Sequence, residues 1–193
     1  MSFAWLVLLS SCFLWQMATT DLVYRMNKIE CVVNKARVTN VTCKVKPINW
    51  NLALVNMDCM LCPLDWIVPI LSPVIRVQVF VKDYSNQFQP FLVDVSFNLC
   101  EVVERRNFVP YGVIVWKLFQ RFTNANNSCT FSGHLHARNG YLDTSLLPPF
   151  PHGVYQVSLT FTDTNSTNRE NIANLKFFIE AMDRRKSKKL PRS

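Results

Sequence analysis

A strictly alternating segment near the middle of the chain constrains the fold more than any other feature. Large apolar side chains occupy every second position, and mostly polar side chains stand between them. The apolar set is Phe91, Val93, Val95, Phe97 and Leu99. Alternation of this kind places the two sets on opposite faces of a β-strand. The strand therefore has one face for a core, its neighbours must supply a matching apolar face, and it ends at Cys100, where a disulfide could anchor it.

The rest of the chain repeats this pattern in short segments. Further strands are predicted at residues 26–33, 41–45, 49–57, 75–82, 130–136, 141–146, 155–161 and 173–181. A turn at residues 83–86 should join the strand 75–82 to the alternating segment as a hairpin. After Pro110 the apolar period becomes helical, which predicts one short amphipathic helix between Cys100 and Cys129. Many short antiparallel strands at regular spacing predict an all-β sandwich or barrel.

The N-terminus has the pattern of a secretory signal peptide. An apolar run is followed by small and polar residues at 18–20, so we expect a signal peptide at residues 1–20 and a folded domain at residues 21–183. No Lys or Arg precedes the apolar run. The alternative is an uncleaved anchor, but the run is short for a bilayer span.

The cysteine count agrees with export. The six cysteines beyond the predicted cleavage site are Cys31, Cys43, Cys59, Cys62, Cys100 and Cys129. An even number in an exported chain predicts three disulfides. We predict a bond between Cys100 and Cys129, and the other four cysteines allow three pairings that the sequence leaves open. Three glycosylation sequons fit the same compartment, at Asn40, Asn126 and Asn165.

The positive charge is concentrated in a tail. The formal net charge is +8, but six of the cations lie in residues 184–193, and removing those six leaves +2. We predict a solvated, disordered tail. The alternative is a weak electrostatic tether to acidic surfaces, glycans or lipid headgroups. The folded part is nearly neutral and has no basic face, so we predict no nucleic-acid partner.

The residues that usually carry catalysis form no recognisable motif. His134 and His136 share one face of a predicted strand, but no third ligand accompanies them in the sequence, so no metal site is predicted. Cys59 and Cys62 have redox spacing, yet Pro63 follows directly and no βαβ pattern surrounds them, which favours structural disulfides. Phosphate-binding and serine-hydrolase motifs are also missing. We therefore predict a non-enzymatic protein without metal or cofactor.

Aromatic residues suggest a different use for the interior. The chain has 14 Phe residues, many for one small sandwich, and bulky rings that cannot all interdigitate could line a cavity between sheets. The inward-facing candidates for a ligand pocket are Phe91, Val93, Val95, Phe97, Trp116, Phe119, Tyr155, Val157, Phe161 and Phe177.

Two segments resemble a known family. Residues 89–100 (QPFLVDVSFNLC) and 146–155 (LLPPFPHGVY) resemble an insect family of small secreted proteins, a domain of unknown function related to the CheA/CheB chemosensory group within the ML lipid-recognition superfamily. Further similar pieces lie at residues 27–31, 42–46, 105–111, 126–129 and 139–143, so the resemblance covers about residues 25–182. It implies an immunoglobulin-like, ML-type sandwich that opens to admit a lipid, and it supplies no catalytic residues. Residues 60–66 depart from the pattern as a local insertion that adds Cys62.

We therefore expect a secreted, disulfide-linked glycoprotein that binds a hydrophobic small molecule or lipid. The resemblance implies a role in chemosensation or pheromone detection. The alternative is an extracellular interaction module that binds a membrane receptor or channel without a lipid cargo. A fully packed interior would favour that alternative. The ligand and the oligomeric state are left open.

Overall fold

Two antiparallel sheets make up most of the described chain. The computed structural model describes residues 22–61, 73–104, 109–125, 131–164 and 169–184. The elements are β1 Leu22–Val33, β2 Val38–Pro47, β3 Ala53–Leu61, β4 Pro73–Lys82, β5 Phe88–Asn98, α1 Leu99–Val103, α2 Pro110–Phe122, β6 Gly133–Gly140, β7 Gly153–Asp163 and β8 Glu170–Asp183. The predicted signal peptide, Cys62, Cys129, Asn126, Asn165 and residues 185–193 of the predicted tail lie outside the described residues.

The sheets stack as a sandwich. One sheet has five strands in the order β1-β8-β7-β4-β5, and the other has three in the order β2-β3-β6. Every strand pair is antiparallel. The predicted all-β antiparallel sandwich is confirmed, and its main core lies between the sheets.

The alternating segment forms β5, at the edge of the five-stranded sheet. Its faces are as predicted, because Val93 and Phe97 are buried while Asp94 is exposed. The predicted hairpin with β4 is also confirmed. Its turn is held by Asp83, whose carboxylate accepts hydrogen bonds from Ser85 Oγ and from a backbone N–H, and these bonds lower the pKa of Asp83.

The described residues contain two helices where one was predicted. The helix α2 begins at Pro110 as expected, and it is amphipathic, with Lys117, Gln120 and Arg121 exposed. The short helix α1 was missed. It begins because the Asn98 side chain accepts a hydrogen bond from Cys100 N at 2.9 Å, a capping interaction that a β-strand pattern conceals. At Gly112, α2 comes so close that an added Cβ would lie 3.2 Å from the Phe97 ring.

The predicted strand at residues 141–146 is wrong. This segment is irregular and contains a turn that begins at Asp143, whose carboxylate accepts hydrogen bonds from the backbone N–H and hydroxyl of Ser145 at 3.0 and 2.7 Å. Asp143 also pairs with Arg121 of α2 at 2.8 Å. Local turn chemistry therefore takes precedence over the β-propensity of the segment.

A disulfide joins the two sheets, and a buried ion pair fixes the turn that connects them. Cys31 of β1 is bonded to Cys43 of β2, which joins an edge strand of one sheet to an edge strand of the other. The turn after β1 carries Arg37, whose buried guanidinium donates to Asp163 at 3.0 Å and to Glu170 at 3.3 Å. None of the helices in the described ranges is long and apolar enough to cross a bilayer.

Candidate functional site: an apolar cavity between the sheets

The interior of the sandwich contains a large cavity. The space that the centre of a water molecule can reach inside it has a volume of about 170 Å³. The wall on the five-stranded side includes Met26, Val77, Val79, Val157, Leu159, Phe177 and Ile179. The opposite wall includes Val55, Met57, Ile114, Leu118, Ala137, Leu142, Leu147 and Phe150. A single water needs about 10–15 Å³ in this measure, so the cavity is an order of magnitude larger than a water site.

Residues 147–152, here called the proline corner, close one side of this cavity. Tyr24 bridges two backbone groups of the corner: its hydroxyl donates to Pro148 O at 2.7 Å and accepts from Phe150 N at 2.8 Å. Tyr155 donates to Pro151 O at 2.8 Å. The Phe150 and Tyr155 rings stack with centroids 5.3 Å apart. Both tyrosines therefore hold the corner against the five-stranded sheet.

The larger cavity is electrically neutral. None of its lining side chains, all of them within the described residues, is an acid, a base or a histidine. Four tyrosines contribute to its lining: Tyr24, Tyr111, Tyr141 and Tyr155. The hydroxyls of Tyr24 and Tyr155 have backbone partners in the proline corner, and burial raises the pKa of both residues. Tyr24 and Tyr155 are therefore uncharged at neutral pH, and the cavity suits an uncharged apolar guest.

A smaller cavity of about 120 Å³ adjoins the first. The two lie end to end along the strands, because β7 contributes Phe161 to the smaller cavity and Val157 to the larger. Likewise β8 contributes Leu175 to the smaller cavity and Phe177 to the larger. The space follows the strand direction and is not one round void.

Five of the ten predicted pocket residues line these cavities. They are Phe119, Tyr155, Val157, Phe161 and Phe177. Val93, Phe97 and Trp116 are instead buried in solid core, where the close approach of α2 at Gly112 fills the space over β5. Phe91 and Val95 are partly buried against that core, and Phe91 packs on Tyr155 with ring centroids 5.5 Å apart.

Several lining residues were not singled out from the sequence. Ile114 and Leu118 lie four positions apart on α2 and face the cavity together with Phe122. The helical period of the segment could have indicated them. The contribution of the proline corner had no such signal, because it depends on the long-range hydrogen bonds of Tyr24.

The two histidines of β6 differ in their surroundings: His134 is exposed, whereas His136 is partly buried and contributes to the lining of the smaller cavity. His134 Nε2 lies 2.7 Å from Asp58 Oδ1, and Arg138 donates to the other oxygen of the same carboxylate at 2.7 Å. The hydrogen bond from His134 lowers the pKa of Asp58. The sequence did not indicate this carboxylate partner. Among the described residues no group of three or more potential ligands could hold a metal ion.

The cysteine predictions are resolved in part. The Cys31–Cys43 bond selects one of the three pairings that the sequence left open, in which Cys59 would pair with Cys62. Cys62 and Cys129 lie outside the described residues, so both other predicted disulfides stay predictions. Cys59 lines the smaller cavity, and burial, reinforced by Asp58, raises the pKa of its thiol. A raised thiol pKa opposes nucleophilic or redox reactivity at neutral pH.

The fold and cavity define an antiparallel β-sandwich with an apolar interior space. A domain of the family described as Protein of unknown function (DUF1091) is found at residues 75–157. The matched region runs from β4 to the first half of β7 and includes α2 and the proline corner. A comparison with curated proteins finds no match to the chain.

Proposed function

We propose that this protein binds a hydrophobic small molecule or lipid between its two sheets. The observation that carries the proposal is the neutral, apolar cavity of about 170 Å³, continued by a second of about 120 Å³. Concave apolar sites with few polar groups are the usual form of small-molecule sites in proteins.

The cost of an empty cavity supports the same function. At about 24 cal/mol per Å³, leaving 170 Å³ unfilled would lower the free energy of unfolding by on the order of 4 kcal/mol. Native domains have only about 5–15 kcal/mol of stability in total. A guest that fills the cavity would recover much of that loss, because it replaces the missing dispersion contacts and removes its own apolar surface from water.

The proposal also covers the compartment in which the protein works, the superfamily of its fold and its biological role. We propose a secreted glycoprotein with an immunoglobulin-like, ML-type sandwich, and a chemosensory role like that of the CheA/CheB-related insect proteins. The disulfide between Cys31 and Cys43 fits an oxidising compartment. Asn40 of the first sequon is exposed on β2, where a glycan would have room.

The alternative is an interaction module that binds a receptor or channel without cargo. That function requires no interior space, and we expect its core to be packed to within a few waters. The cavity volume favours the cargo-binding function over this alternative.

Two measurements test the proposal. Native mass spectrometry of protein secreted from eukaryotic cells should show a bound apolar molecule that organic extraction releases. The neutral fluorescent probe phenylnaphthylamine should bind the extracted protein. A Val157→Phe variant, which places a ring into the larger cavity, should weaken probe binding by about fivefold to about a hundredfold, because overpacking costs about 1–3 kcal/mol.

The matched control is the same substitution on the surface. Val32 lies on β1 and is 62% exposed, so Val32→Phe should leave probe affinity within about twofold. The proposal fails if the wild-type protein carries no apolar molecule and binds neither the probe nor added lipids. It also fails if both variants weaken binding equally, because the cavity would then not be the binding site.

A further inference from the structure

The two cavities share a common wall. Four residues line both of them: Met57, Phe119, Thr123 and Ala137. Ala137 is paired with Met57 in the ladder between β3 and β6 and forms an isolated bridge with Thr123. The wall therefore stands where the end of α2 meets the three-stranded sheet.

Two parts of this wall are fixed. Thr123 ends α2, and its hydroxyl and its backbone N–H both donate to Phe119 O, at 2.6 and 2.9 Å. Ala137 has no side chain beyond Cβ and is buried in the strand ladder. Neither residue can retreat without breaking backbone hydrogen bonds.

The other two parts are movable. Met57 is unbranched and flexible. Phe119 contributes an apolar ring that packs on Phe161 across the sandwich, with ring centroids 5.9 Å apart. A change of side-chain rotamer could move either group without breaking a hydrogen bond of the backbone.

We propose that Phe119, backed by Met57, is a partition that limits the length of the bound chain. This proposal rests on the proposed function. A short apolar chain fits the larger cavity alone, and a longer one has to displace the Phe119 ring to enter the smaller cavity. From Tyr155 in the larger cavity to Phe161 in the smaller one, β7 advances about 20 Å at about 3.3 Å per residue, so the joined space would accept an extended chain.

The charges on the two sides fit this geometry. None of the described residues that line the larger cavity is charged, so the part of the ligand that it holds is uncharged. Among the described residues that line the smaller cavity are one acid, Asp58, and one histidine, His136, and the two oxygens of Asp58 already bind His134 and Arg138. An uncharged straight chain is therefore the appropriate probe.

A chain-length series tests the partition. Straight-chain alcohols from octanol to octadecanol displace phenylnaphthylamine from the extracted protein, and the inhibition constants are plotted against carbon number. Each methylene that becomes buried should strengthen binding by about fourfold. In wild-type protein we expect the inhibition constant to stop falling at the carbon number that fills the larger cavity, where the chain meets Phe119.

Phe119→Ala should move that limit to longer alcohols, and Phe119→Leu, which disturbs the core less, should move it in the same direction by less. The matched control is Phe178→Ala, the same substitution on β8. Phe178 is not among the residues that line either cavity and packs on Phe88 with ring centroids 5.6 Å apart, so its removal should leave the limit where it is.

The possible failures are distinguishable. If wild-type protein binds the alcohols but both Phe119 variants keep the wild-type limit, the partition is wrong and the binding function stands. The same conclusion follows if Phe178→Ala shifts the limit as much as Phe119→Ala. If the wild-type protein binds none of the alcohols and no probe, the proposed function and the partition fail together.

Discussion

The hydroxyl group of Tyr24 makes two hydrogen bonds that hold the proline corner over the cavity. Tyr24→Phe removes that oxygen and leaves the ring, so the apolar wall of the cavity keeps its shape. Two hydrogen bonds disappear, one to Pro148 O and one from Phe150 N. Because both partners are backbone groups of the corner, the substitution tests how firmly the corner is attached.

The expected effect follows from the number of bonds. A hydrogen bond in a folded protein contributes about 0.5–1.5 kcal/mol net, so losing two should lower the free energy of unfolding by about 1–3 kcal/mol. Tyr155→Phe removes only the bond to Pro151 O and should cost about half as much. Both residues hold the same corner, so the double variant should show a non-additive loss.

Urea denaturation followed by tryptophan fluorescence measures these differences. Tyr84→Phe is the control, because Tyr84 is fully exposed in the hairpin turn and its hydroxyl removal should change stability by less than about 0.5 kcal/mol. If Tyr24→Phe destabilises no more than Tyr84→Phe, the Tyr24 hydroxyl does not hold the corner. A smaller loss for Tyr24→Phe than for Tyr155→Phe would also contradict the bond count.

Three further predictions concern the rest of the fold. Replacing Cys31 and Cys43 by Ala should lower the free energy of unfolding by about 3 kcal/mol in urea titrations, since the bond closes a separation of 12 residues; an unchanged midpoint would contradict this. Arg37→Met should cost about 3–5 kcal/mol, because it leaves buried Asp163 without its cation, whereas Arg76→Met should leave the urea midpoint near wild type because its ion pair is exposed. Burial raises the folded-state pKa of Tyr24 above its usual 10.0, so the stability that depends on its neutral form is complete below that pH and is lost as pH rises through the raised pKa. Urea midpoints measured from neutral to alkaline pH should therefore fall less steeply in Tyr24→Phe than in wild type.

Local patterns predicted the elements well. The alternation from Phe91 to Phe97 placed β5 and its inward face, and the helical period placed α2 from Pro110. Both patterns depend on neighbours within one element, so one sequence is enough to read them. The order of strands is different, because it is decided by long-range pairing. The alternating segment therefore gave no sign that β5 lies at a sheet edge.

The sequence predicted an apolar cavity between the sheets, but only five of the ten residues predicted to line it do so. Alternation identifies side chains that point inward, but it does not say what packs against them. Phe97 and Tyr155 have the same sequence signal, yet α2 approaches closely over Phe97, whereas Tyr155 faces the cavity. The difference is due to Gly112, which has no side chain and so lets α2 pack closely against β5. The space over β7 and β8 is left to be closed by Leu118 and the proline corner.

The unequal size of the two sheets explains why space is left at this place. Five strands face three, so α2 and residues 141–152 supply the remainder of the opposing layer. Strands within a sheet are held at fixed spacing by their hydrogen-bond ladder, whereas α2 and the corner meet the five-stranded sheet mainly through side chains. The corner has the three hydroxyl-mediated bonds of Tyr24 and Tyr155 in addition. The end of α2 is tied to β6 by the bridge between Thr123 and Ala137. Movement of the corner alone would change the cavity volume without breaking a ladder, so we expect an apolar guest to enter beside the corner and not between strands.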